Sequence, residues 1–107
     1  MDLFHTTDSQ GISIINPDRT AMRELIATLD DVGISEVDHP DVSLVHDASG
    51  WSITLYPNGV AALENLDEES EPRYLSNVSR SDALKLWIEL SVGNIEALLI
   101  QPWLAEA

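Results

Sequence analysis

Two spacings of apolar residues alternate along this chain, and each switch between them marks a new element. GISIIN at 11–16 is short and β-branched and reads as a strand. It runs directly into a helix start. Asn16 can cap, Pro17 suits the first helical position because its φ is fixed and its missing donor is not needed there, and Asp18 falls where the helix dipole favours an anion. Met22, Leu25, Ile26 and Leu29 then follow the i, i+3, i+4, i+7 spacing of one apolar helical face, closed by Asp30, Asp31 and Gly33. Residues 33–41 read as an irregular connection, since Pro40 biases His39 away from helical geometry.

The spacing then shortens to two. DVSLVH at 41–46 sets Val42 and Leu44 against Ser43, and WSITLY at 51–56 sets Trp51, Ile53 and Leu55 against Ser52 and Thr54, so each strand has one apolar and one polar face. DASG at 47–50 and YPNG at 56–59 are hairpin links, and Val60 to Leu66 is the returning strand. PRYLSNV at 72–78 is a further short strand, with Pro72 at its start or on an edge.

Helical spacing returns after that. Ser79 and Asp82 resemble a capping box, and Ala83, Leu84, Leu86, Trp87, Ile88 and Leu90 make the following helix apolar over most of its circumference, predicting the most buried element. Gly93 can end it in the left-handed conformation and Asn94 can cap a successor. Ile95, Leu98 and Leu99 give a short last helix that stops at Pro102, and Trp103 folds back as an apolar clasp. Together these elements predict an α+β fold: an antiparallel meander of about four to five strands packed on an N-terminal helix and a C-terminal helix pair, as a single domain over residues 1–107.

Composition narrows the function classes. The 107 residues include no cysteine, which removes disulfides and thiolate zinc and fits a reducing compartment, so a cytoplasmic location is expected. MDLFHTTDSQ lacks the basic start and apolar core of a secretory signal, and no run approaches the roughly 18 apolar residues of a membrane span. Nineteen acidic residues stand against five Lys and Arg, a formal charge of -14. Such a surface repels nucleic acid and anionic membranes and speeds encounters with basic proteins. The other reading of the charge is solubility alone.

Candidate chemistry adds little. The acidic run ENLDEESEPR at 64–73 has neither the glycine nor the ligand spacing of a calcium loop, and reads as a solvated turn. Asp38, His39, Asp41, His46 and Asp47 form a composition zinc could accept, but a loop histidine at 39 and an exposed strand-end histidine at 46 fit their spacing better. No nucleophile elbow or glycine-rich phosphate loop is present, and carboxylate pairs can be picked freely from so many acids. No metal, no cofactor and no enzymatic activity are expected. Trp87 and Trp51 read as core, whereas Tyr56, on the strand face opposite Trp51, points toward solvent near acidic residues as an interface candidate.

The order INPDRTAMRELIATLDD, SLVHDASGWSITLYPNG and SDALKLWIELSVGN, ending in QPW, resembles small bacterial immunity proteins of polymorphic and contact-dependent toxin systems. The shared features are an Asn-Pro helix start, a Leu-Asp close, a W-x-I hairpin and a late helix ending at Gly and then Trp. The resemblance implies a small α+β domain that is not an enzyme and that binds one toxin domain to block its active site. Binding residues vary with the toxin, so none is carried over. A nuclease toxin is basic around its active site, so the acidity of this chain agrees with that role. The expected protein-binding residues are Asp38, Asp41, Asp47, Glu64, Asp67, Glu68, Glu69 and Glu71, with Tyr56 as anchor. The alternative is a stand-alone structural or regulatory domain whose acidity serves solubility.

Overall fold

The computed structural model describes residues 3–31, 40–68 and 71–105. Asp38, His39 and Glu69 lie outside these residues, as do Gly33 and most of the connection expected at 33–41. The fold is α+β, with a six-stranded antiparallel sheet in the order β2-β1-β3-β4-β5-β6 and helices packed on one face. The strands are β1 (Phe4–Thr7), β2 (Ser13–Ile15), β3 (Val42–His46), β4 (Trp51–Leu55), β5 (Ala61–Asn65) and β6 (Arg73–Leu75). The helices are α1 (Arg19–Ala27), continued by a 3-10 turn at Thr28–Asp30, then α2 (Arg80–Ser91) and α3 (Ile95–Leu99).

The meander β3-β4-β5-β6 follows from the alternation at 41–75, and its register places Val42 opposite Leu55 and Ile53 opposite Leu63. The sequence reading missed β1. Phe4 and Thr6 face the helices from it, and it fills the place between β2 and β3, pairing His5 with both Ile15 and Val45. The N-terminal strand pair is closed by an Asp8 turn, in which the carboxylate accepts from Gln10 N and Ile12 N at 2.9 Å each. β2 is thereby an edge strand whose three residues are all exposed, not a core strand.

The entry to α1 differs from expectation. The cap is Asp18, whose carboxylate accepts from Ala21 N at 2.8 Å. Asn16 instead adopts φ 49, and its side-chain oxygen accepts from Phe4 N while its own N–H reaches Phe4 O. A left-handed Asn is what turns the chain off the sheet edge here, and the helix begins only after that turn. Met22, Ile26 and Leu29 are buried as their spacing predicts.

The core joins these residues to Phe4, Val42, Leu44, Ile53, Leu55, Ala61 and Leu63 on the sheet and to Ala83, Leu86, Trp87, Leu90 and Leu98 above it. Trp87 is 0 % exposed, and its indole N–H donates to Ile53 O at 3.2 Å, so the largest side chain of α2 is also tied to the central strand. Ser79 caps α2 by accepting from Asp82 N, whereas the Asp82 carboxylate faces Lys85 at 3.8 Å instead of closing a box. Gly93 ends the helix at φ 76. Asn94 precedes α3 without a side-chain cap bond, its amide reaching Glu89 instead. Leu98 is buried, but Leu99 is exposed and belongs to a groove described below. Among the described residues no helix is long and apolar enough to cross a membrane.

Candidate functional site

Because side chains alternate along a strand, the sheet register assigns every residue to one of two faces. The helices cover the face of Val42, Leu44, Ile53 and Leu63. The opposite face carries, row by row, Ile15, His5, Val45, Ser52 and Glu64, then Ser13, Thr7, Ser43, Thr54, Ala62 and Tyr74. No described helix packs on this face, and its centre is made of small and hydroxyl residues. Ser52 and Ala62 are nonetheless buried.

Tyr56 continues the second face beyond Thr54, as expected from its offset to Trp51. It is half-buried instead of freely solvated. Burial pushes its phenol above the usual tyrosine range, and Asp41, Tyr74 and Glu64 push it further the same way. Extending the register one step past Val42 and Leu55 places Asp41 directly opposite Tyr56. The structure therefore brings together Asp41, Tyr56 and Glu64 from the expected set, and adds Tyr74, which the sequence reading passed over. The signal for Tyr74 was available: it sits in the same alternation as Arg73 and Leu75, on the phase that the edge strand turns outward.

Asp47 lies at the far end of β3, where it accepts from His5 Nδ1 at 3.1 Å on the same open face. All five Lys and Arg of the chain are elsewhere. Arg19 and Arg23 are on α1, Arg80 and Lys85 on α2, and Arg73 is paired with Leu63, which places it on the helix side. The open face thus combines two tyrosines and several carboxylates with no permanent cation. Arg80 in particular is committed to Asp30, at 2.9 Å, and to Pro57 O. Its hydrogen bond and charge hold the Asp30 carboxyl below the usual range against a smaller opposing effect of desolvation.

Asp67, Glu68 and Glu71 are not part of that face. Asn65 is buried at the end of β5, and its side-chain oxygen accepts from Asp67 N and Glu68 N, holding residues 66–68 in a turn. Gly50 has φ 76, a conformation that favours glycine, and a Cβ there would push aside the Asp67 carboxylate that lies against it. Glu68 and Glu71 instead rim a groove of about 800 Å³ on the helix side, walled by Trp51 and Trp103 and bordered by Arg73 and Leu99. Trp51 therefore touches the core but is not fully enclosed by it. The clasp expected at Trp103 forms, with its indole N–H donating to Leu98 O at 2.7 Å.

The histidine reading needs correction at one position. His46 is 3 % exposed, facing the core side with Nδ1 at 2.7 Å from Ser49 Oγ, because it shares the phase of Val42 and Leu44. Among the described residues no group of three or more His, Asp or Glu is placed to hold a metal ion. The chain matches no family model, and no curated protein or solved structure is significantly similar to it.

Proposed function

We propose that this chain is a protein-binding module that inhibits a basic partner, of the kind formed by bacterial immunity proteins, and that the open sheet face is its docking surface. One observation carries the reading: the face that no described helix covers holds Tyr56, Tyr74, Asp41 and Glu64, while every Lys and Arg lies in the helical layer or on the helix side of the sheet. A sheet face with small central residues lets a partner approach closely, and tyrosines at the rim supply rigid contact area at little entropic cost. Carboxylates around them steer a cationic surface and select against acidic or nucleic-acid competitors. A basic nuclease or other toxin domain is the partner class that fits, with its active site covered by the bound inhibitor.

A rival reading, a stand-alone structural or regulatory domain whose acidity serves solubility, draws on a different observation. Asp8, Asp18 and Asp30 are each engaged in a local turn, cap or ion pair, so part of the acidic excess has a structural role. The test separates the two. The product of the neighbouring gene is titrated with wild-type chain and with Asp41→Lys/Glu64→Lys at two salt concentrations, by stopped-flow association and by toxin activity. Inhibition, with association slowed about tenfold or more by the double reversal at low salt, is the expected result. Binding unaffected by both the reversals and salt would falsify the electrostatic reading.

A further inference from the structure

We infer that the groove between Trp51 and Trp103 is a second contact region for the same partner, built to take a basic side chain together with an adjoining apolar one. This rests on the reading of the chain as a binder of a basic protein. The walls are set before any ligand arrives: Trp103 is fixed through Leu98 O, and Trp51 N donates to Ser49 Oγ at the start of β4. Leu63 forms part of the lining at 2 % exposure, which gives an apolar base. Glu68 and Glu71 stand at the rim, with no ion pair among the described residues. A guanidinium or ammonium is attracted by the face of an indole, and by carboxylates at the mouth of a low-dielectric cleft. A groove of about 800 Å³ holds more than one side chain, so the cation can be accompanied by a leucine-sized neighbour.

Arg73 opposes this occupant, and that makes the inference sharp. It lines the same groove and has no ion pair among the described residues, so it competes for the carboxylates with an incoming cation and repels it. Removing its charge should tighten binding of a basic segment. If the natural occupant were acidic, drawn in by Arg73 itself, the same substitution would weaken it.

The probe is acetyl-Arg-Leu-Arg-amide, titrated into the isotope-labelled full chain while the backbone amide signals and the three tryptophan indole N–H signals are followed by heteronuclear NMR. The expected result is saturable movement of Trp51 and Trp103 with Trp87, fully buried, as a still internal reference. Arg73→Gln should tighten the peptide about two- to fivefold, and Glu68→Gln/Glu71→Gln should weaken it by a similar factor, the range of exposed charge pairs. Movement confined to Tyr56, Ala62 and Tyr74, no movement at all, weaker binding by Arg73→Gln, or tighter binding of acetyl-Glu-Leu-Glu-amide each overturn the groove assignment. Movement at Tyr56, Ala62 and Tyr74 would shift the peptide to the open face, whereas the other outcomes leave that face untouched, and its failure is read separately from the Asp41→Lys/Glu64→Lys kinetics.

Discussion

At Trp87 one side chain performs two tasks that are usually divided: it fills the space between helix and sheet, and it supplies a hydrogen bond to the backbone of β4. Trp87→Ala is expected to cost about 3 to 5 kcal/mol, comparable to the whole stability of a small domain. Trp87→Phe keeps most of the volume but leaves Ile53 O without its indole donor, for about 1 to 3 kcal/mol. Urea unfolding distinguishes them. A near-neutral Trp87→Phe would place the stabilisation in packing alone. Trp87 was legible because its helix is apolar around most of its circumference. His46 was not: a histidine at a strand end reads as solvated, and only the count of strand phase from Val42 puts it on the buried side. That Trp51 and Trp103 wall one groove was equally hidden, since nothing in local spacing says that a clasp at the C-terminal end returns to the start of β4.

At the scale of elements, periodicity read well wherever an element has one wet and one dry face. The strands β3 to β5 and the helices α1, α2 and α3 follow their patterns to within a residue or two, whereas β6, expected over 72–78, closes at Leu75. β1 failed because FHTT is only four residues long and its buried positions are a phenylalanine and a threonine, a pair too weak to announce a strand without its neighbours on both sides. The α1 boundary failed for a more specific reason. Asn-Pro is a good helix start in isolation, but β2 must first leave the sheet edge, and Asn16 is used for that left-handed turn, so capping passes to Asp18. The same turn, with Pro17 after it, limits β2 to three residues and blunts an edge whose Ile14 and Ile15 are exposed. Capping itself can be tested on α2. Ser79→Ala removes the acceptor for Asp82 N and is expected to destabilise by about 1 kcal/mol, with Ser79→Asp close to wild type. Equal loss in both variants would mean that Ser79 matters through some contact other than the cap.

Across the whole molecule the formal charge of -14 acts on folding and on the proposed binding with opposite signs. The chain measures 35 × 31 × 24 Å. At about 0.01 M salt the screening length is about 30 Å, so each carboxylate repels nearly every other; at about 0.15 M it is about 8 Å, and only neighbours matter. Salt should therefore raise the melting temperature over this range while it slows association with a basic partner. The rim of the groove offers the cleanest probe, because Glu68 and Glu71 are exposed and carry no ion pair among the described residues, and because the turn at Glu68 is held by Asn65 through a backbone donor that glutamine leaves intact. Glu68→Gln/Glu71→Gln is expected to melt at or above wild type at low salt, with the difference closing as salt is added and the free-energy change staying within about 0.5 kcal/mol. Differential scanning calorimetry across a salt series measures both trends. A melting temperature that falls with salt, or a loss of more than about 2 kcal/mol on substitution, would show these carboxylates to be held in attractive pairs or by a cation, and they would then be unavailable to steer a partner.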